Sequence, residues 1–307
     1  MAWRRSVRIA ATAAAALAAP ALAAAELVTI NGAAQYPEGP IADQNGIYYA
    51  EMGAGQVMRW NGTQNRRVWS NPACGPTSVA RYGADLIVLC HRVGALVRIS
   101  PSGELLQVVD RDRNGRPFVT PNASVADGKG GVYFSSSGSF SPTAPAEGAV
   151  LYLDPARRLS RLVEGIHYAN GVTLTADGGT LYVSEHLERQ VLAFDVAQDG
   201  SLSGKRVFVR LDDLEDRDPA WGWEVGPDGL AVDREGNLYI AEYGAGHLLI
   251  VGPDALLKAT IDVPEAYVTA PALSPDETRL YITAPASLYD PTEAGGVYEV
   301  ANPLLAD

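Results

Sequence analysis

Glu38, Asn122, Asn170 and Asp228 are oxygen-bearing side chains that recur at one phase of a repeating pattern. Each stands 10 to 12 residues ahead of a tyrosine set in a short apolar run: Tyr48, Tyr133, Tyr182 and Tyr239. Carboxylate and amide oxygens are hard donors, suited to calcium, magnesium or manganese and unsuited to copper or a structural zinc. Calcium takes about 6–8 oxygens, so Glu38, Asn170 and Asp228, with Asn122 near, would leave positions for water and substrate. A catalytic cation needs such open positions. Taken singly the motifs say little, because Pro-Asp-Gly and Asn-Gly are ordinarily turns. Asp127, Asp177, Asp233 and Asp276 read as turn residues of that sort. Shared phase sets Glu38, Asn170 and Asp228 apart.

A six-fold repeat must position them. Pro37-Glu38-Gly39-Pro40, Pro121-Asn122, Asn170-Gly171 and Pro227-Asp228-Gly229 open the clearest copies, and Gly75-Pro76-Thr77 and Thr269-Ala270-Pro271 open two fainter ones. With Tyr48, Ile87, Tyr133, Tyr182, Tyr239 and Tyr281 as equivalent anchors, the spacings are 39, 46, 49, 57 and 42 residues. Each copy continues in short alternating runs broken by turn dipeptides such as Asn61-Gly62 and Asp199-Gly200, giving four antiparallel strands. A period of about 40–50 residues made only of short strands predicts an all-β fold, a six-bladed β-propeller of four-stranded blades. It would fill residues 26–307 as one domain. Equivalent positions in a ring face one axis, so residues far apart in sequence become neighbours. The anchor runs read as the innermost strands, and the oxygen donors as lining one mouth of the channel. Residues 26–30 are expected to supply the outer strand of the sixth blade and close the ring. The best helical candidate is a single turn, Asp254 to Lys258. Irregular stretches at 110–118, 137–147, 212–223 and 284–295 are candidates for a substrate rim.

The net charge is −12 and no Lys/Arg run follows the first residues, which excludes duplex nucleic acid as a partner. Residues 1–25 read as an export signal: Arg4, Arg5 and Arg8 precede an Ala-rich stretch, and Ala23-Ala24-Ala25 suits cleavage before Glu26. That stretch is too short and too weakly hydrophobic for a stable membrane anchor. A periplasmic or secreted monomer is expected, with the general and twin-arginine export routes both open. Cys74 and Cys90 bracket the second copy's anchor run and suit a structural disulfide in an exported protein. Of the four histidines, His167, three residues before Asn170, is best placed for substrate. Trp223 is expected on an apolar rim over the site, with Tyr36 and Tyr168 lining the pocket.

With these residues in view, the chain resembles the senescence marker protein/gluconolactonase family of six-bladed propellers, which includes regucalcin. The matching segments are Pro37-Glu38-Gly39-Pro40, Pro121-Asn122, Asn170-Gly171-Val172 and Pro227-Asp228-Gly229-Leu230. The resemblance implies a divalent metal held by Glu38, Asn170 and Asp228, usually calcium, with zinc, manganese or magnesium as alternatives. It implies Asn122 close to metal or substrate, and hydrolysis of a small-molecule lactone. Asp228 is the expected base. Two departures bear on substrate: Ala123 follows Asn122 where aspartate is frequent, and Thr120 stands where sugar-acid lactonases carry arginine. Thr120 offers no guanidinium fork for a polyhydroxylated ring. Other readings of the same fold are a non-catalytic ligand- or protein-binding propeller, and a strictosidine-synthase-like or aryl esterase enzyme. The complete oxygen-donor set favours the lactonase.

Overall fold

The computed structural model describes residues 26–305. The expected export signal, residues 1–25, lies outside the described residues. Within them the chain forms six separate sheets, each of four antiparallel strands. The inner strands are Pro37–Asp43, Pro76–Tyr82, Pro121–Ala126, Ala169–Leu174, Gly226–Val232 and Ala270–Leu273, in blades 1 to 6. Each lies against the inner strands of the neighbouring blades, closing a ring around the channel.

The anchor runs are second from the axis, not innermost as their apolar character suggested. They are Gly46–Glu51, Asp85–Cys90, Val132–Ser136, Thr180–Glu185, Leu238–Tyr243 and Arg279–Ala284. Blades stack face to face, so the hydrophobic core is six clusters, one between each pair of neighbours. Ile47 and Tyr49 pack against blade 6, while Tyr48 packs against blade 2. A strand buried on both faces needs an unbroken apolar run, which is why these runs do not alternate. The inner strands can be polar because one edge faces the channel.

The N-terminal strand closes the ring as expected, although it runs Val28–Gln35 rather than 26–30. It pairs antiparallel with Ala294–Ala301, from Val28 opposite Glu299 to Gln35 opposite Ala294. The first and last parts of the chain therefore share blade 6. Cys74 and Cys90 are disulfide-bonded and buried. The stretch 254–258 is not helical: Ala255 N–H donates to Gly252 O in a tight turn, and a strand begins at Leu257. Among the described residues, helical structure is limited to three single 3-10 turns, His91–Val93, His186–Glu188 and Leu211–Asp213. No helix there is long and apolar enough to cross a membrane.

Candidate active site

Five of the six inner strands slip register against their second strand near the channel mouth. The breaks fall between Glu38 and Ile41, Pro76 and Ser78, Pro121 and Ser124, Ala169 and Val172, and Pro227 and Leu230. A bulge bends its strand and re-aims the side chain caught in it. The residues at these breaks are Glu38, Thr77, Asn122, Asn170 and Asp228, every one bearing an oxygen. Blade 6 pairs without a break from Ala270 to Leu273; Thr269 meets Gly229 there as Thr77 meets Gly39, but its hydroxyl is turned to Pro37 O and it is not in the cavity wall. Two residues before the site position, in blades 1 to 4, the backbone is left-handed: Tyr36, Gly75, Thr120 and Tyr168 have φ of 51°, 56°, 48° and 63°. Three of these are not glycine, a costly conformation held by surrounding contacts.

Those contacts form a repeated tether, reaching the residue three before each site position. Glu51 accepts the Gln35 N–H at 3.5 Å. Cys90 is bonded to Cys74. Ser136 Oγ accepts the Val119 N–H at 2.9 Å and donates to Val119 O at 2.8 Å. Glu185 accepts the His167 N–H at 2.8 Å. In blade 5 Arg189 bridges Glu242, at 2.7 Å, to Val225 O, at 3.3 Å. The tethering residue is always the last or next-to-last of the second strand. Blade 6 has Ala284 there.

Side chains of the preceding blade then fix the site-bearing backbone. Thr77 Oγ1 donates to Pro121 O at 3.2 Å, Ser184 Oγ to Asp228 O at 2.7 Å, and Thr269 Oγ1 to Pro37 O at 2.8 Å. His91 Nδ1 lies 3.3 Å from Pro121 O and His186 Nδ1 lies 3.1 Å from Pro227 O, so each grips the residue before a site residue. Gly171 and Gly229 admit the close approach this ring requires. A Cβ on Gly171 would collide with Asp228 O, and one on Gly229 with Thr269 O and the Ala270 side chain.

The result is one cavity of about 210 Å³ at the channel mouth, with Glu38, Asn122, Asn170 and Asp228 in its wall. All four are buried. Burial pushes the Glu38 carboxyl well above its usual range, and the neighbouring Asp228 charge pushes it further. Burial raises Asp228 likewise, with Asn170 pulling the other way. Tyr36, Tyr168 and Tyr243 are also raised, by burial and by these carboxylates, and stay neutral hydroxyls. Burial lowers His91 and His186 to about 4, leaving both rings uncharged at neutral pH. Among the described residues no Lys or Arg lines the cavity. Two buried carboxylates without a counter-ion are costly. Asn170 Oδ1 is buried beside them with no hydrogen-bond partner. This donor chemistry suits a hard divalent cation.

Thr120, His167 and Trp223 are not in the cavity wall. The Thr120 hydroxyl donates to Gly138 O at 2.7 Å, since its left-handed backbone belongs to the turn before the bulge. The His167 ring is held away from the cavity wall, with Nδ1 2.9 Å from Glu188. Trp223 reaches the wall only through Phe140, its ring 4.9 Å away. Trp221 lies elsewhere, beneath the Arg189 guanidinium at 5.4 Å. Met52, His91, His186 and Tyr243 do line the cavity, and each stands four residues after its blade's anchor. That shared phase was readable in the sequence. Phe140 and Leu288 come from two of the irregular stretches expected at the rim, 137–147 and 284–295, although which residue of each faces the cavity was not readable.

A second group that could bind a metal, Glu215, Glu242 and His247, lies outside this cavity. His247 Nε2 is 2.9 Å from Glu242 and 3.2 Å from Glu215, and Arg189 holds the other Glu242 oxygen. Two cationic side chains already neutralise these acids, so the group is an ion network supporting the blade-5 tether.

Comparison with known proteins agrees with this architecture. Pig regucalcin is 24% identical over 272 residues, covering 83% of this chain and 86% of its own. L-arabinolactonase of Azospirillum brasilense is 30% identical over 184 residues, 58% of each chain. The structure of a calcium-binding protein, regucalcin from Agrobacterium tumefaciens, superposes with a TM-score of 0.72 at 17% identity, covering 91% of this chain and 95% of that one. The family model described as SMP-30/gluconolactonase/LRE-like region matches residues 36–286, a span that includes all five bulged inner strands. The chain belongs to the SMP-30/gluconolactonase/LRE-like family.

Proposed function

We propose that this chain is a metal-dependent hydrolase of lactones, with Glu38, Asn170 and Asp228 holding a divalent cation, calcium first among them. The observation that carries this reading is the unpartnered Asn170 Oδ1 beside two buried, uncompensated carboxylates. When bound, the cation supplies Lewis-acid polarisation of the lactone carbonyl. Asp228 is the base. Its carboxylate lines the cavity wall, within the space where an attacking water would stand. Water adds to the carbonyl carbon as its proton passes to Asp228. The ring C–O bond then breaks, the proton passes to the departing ring oxygen, and a hydroxy acid remains. Asn122 presents an amide to the substrate. Tyr36 and Tyr243, kept neutral, add no further negative charge beside the base.

The test is a lactone hydrolysis assay on purified protein before and after chelation. Activity should vanish with EDTA and return with added calcium, more fully than with magnesium, manganese or zinc. Undiminished hydrolysis after exhaustive metal removal would sink the proposal.

Export before function is the companion proposal, supported by the composition of residues 1–25 and by the Cys74–Cys90 disulfide, which suits an oxidising compartment. Protein recovered from the periplasm or medium should begin at Glu26; recovery only from the cytosol, with Met1 intact, would refute it.

A further inference from the structure

The cavity wall around the carboxylates is built of Tyr36, Met52, Phe140, Tyr168, Tyr243 and Leu288. These come from bulge approaches, second-strand ends and two long loops, so the apolar surface encloses the site from several sides. Most polar groups among them are already engaged. The Tyr36 and Tyr243 hydroxyls bond each other at 2.8 Å. The Thr77 hydroxyl and both histidine Nδ1 atoms face backbone carbonyls. No guanidinium or ammonium group lines the cavity among the described residues. A polyhydroxylated ring would therefore bury hydroxyls with few partners, at a cost for each one left unmade.

An apolar path also leads out of the cavity. The Phe140 ring lies 4.8 Å from Tyr168, 5.3 Å from His186 and 4.9 Å from Trp223. Trp223 is 44% exposed, so this aromatic shelf reaches solvent. We infer that the substrate is a lactone carrying an alkyl or aryl substituent, the ring at the Glu38–Asp228 floor and the substituent along Phe140 toward Trp223. This rests on the lactone-hydrolase reading above and narrows it.

The experiment uses calcium-replete protein and two arms. The first compares kcat/KM for γ-phenyl-γ-butyrolactone and γ-nonalactone against aldonolactones. The second measures binding of 5-phenyl-2-pyrrolidinone, a lactam that resists hydrolysis, by calorimetry or Trp fluorescence. The substituted lactones should exceed the aldonolactones by about 10–100-fold, the scale of discrimination by apolar contact. Phe140→Ala should raise KM for the phenyl lactone about 10-fold, well beyond any change for unsubstituted γ-butyrolactone, and weaken lactam binding equally. Phe140 is half-buried on a loop, and Phe140→Leu serves as a control that should keep most of the effect. Aldonolactones preferred, with no lactam binding, would overturn the inference and leave lactone hydrolysis standing. Lactam binding that depends on Phe140, with no lactone hydrolysed, would overturn the hydrolase reading and keep the apolar ligand. Neither binding nor hydrolysis would overturn both.

Discussion

Blades 1 to 5 and blade 6 are built from the same four-stranded sheet, yet only the first five put a side-chain oxygen from the start of the inner strand into the cavity wall. They differ at two linked places. The first five inner strands are bulged at their start, and the approach to each is held by a buried tether from the end of the second strand. Blade 6 has a regular inner strand, with the Thr269 hydroxyl at the site position bonded to Pro37 O and Ala284 where the tether would be. Blade 6 is also the blade completed by the N-terminal strand, which pairs along its outer edge. The comparison teaches that the site belongs to a local device, a tethered bulge, rather than to the propeller as such. The tether is chemically interchangeable: a disulfide, a serine, a glutamate and a Glu–Arg bridge all serve.

The largest predicted effect is at the floor of the site. Asp228→Asn should lower kcat/KM about 10³-fold, within the range expected for loss of a general base. It removes one of two adjacent buried charges, so the metal-free variant should melt no lower than the parent. Calorimetry and steady-state assays at saturating calcium check both, and near-parental turnover would exclude Asp228 as base. Next is the covalent tether. Replacing both Cys74 and Cys90 by serine should cost about 2–4 kcal/mol in a denaturant titration, by the loop-closure argument. A loss below about 0.5 kcal/mol would mean that blade 2 does not depend on its tether.

The blade-5 tether makes a pH prediction. Burial alone would lower the His247 pKa, but hydrogen bonds and charges from Glu215 and Glu242 outweigh it and raise the ring to about 9. A folded-state pKa above the unfolded value of about 6.5 means the contribution is fully present below that pH. It is lost as pH rises through about 9. The parent should therefore lose stability over this window relative to His247→Gln, by roughly 1–2 kcal/mol after allowing for solvent screening. Parallel melting curves from pH 6 to 10 would contradict the network. The smallest effect tests the comparison most directly. Thr269→Asp adds a carboxylate at the sixth site position, before an unbulged strand, and should change calcium affinity by less than about twofold. A large gain by titration calorimetry would show that a donor residue alone suffices, without a bulge.

Much of this was legible in the chain. The anchor spacing gave the blade count, and the common phase of Glu38, Asn122, Asn170 and Asp228 marked residues that share one cavity wall. Turn aspartates such as Asp127 and Asp233 were separable because they cap the hairpins that follow the inner strands; each accepts backbone N–H groups there. The same phase argument would have found His91, His186 and Tyr243, since they too stand at one position in their copies. Nearness in sequence was a poorer guide for His167, which stands three residues before Asn170 but bonds Glu188 instead of lining the cavity.

Local pattern settled the strands, their number and the circular order of the oxygen donors, because alternation and turn chemistry act over a few residues. Which strand of each blade faces the axis was decided only in three dimensions, where the doubly buried anchor runs must lie between neighbouring blades. The bulges, their tethers and the wall supplied by Phe140 and Leu288 were decided there too. Each depends on backbone register or on contacts between distant segments, and the residue types that serve differ from blade to blade.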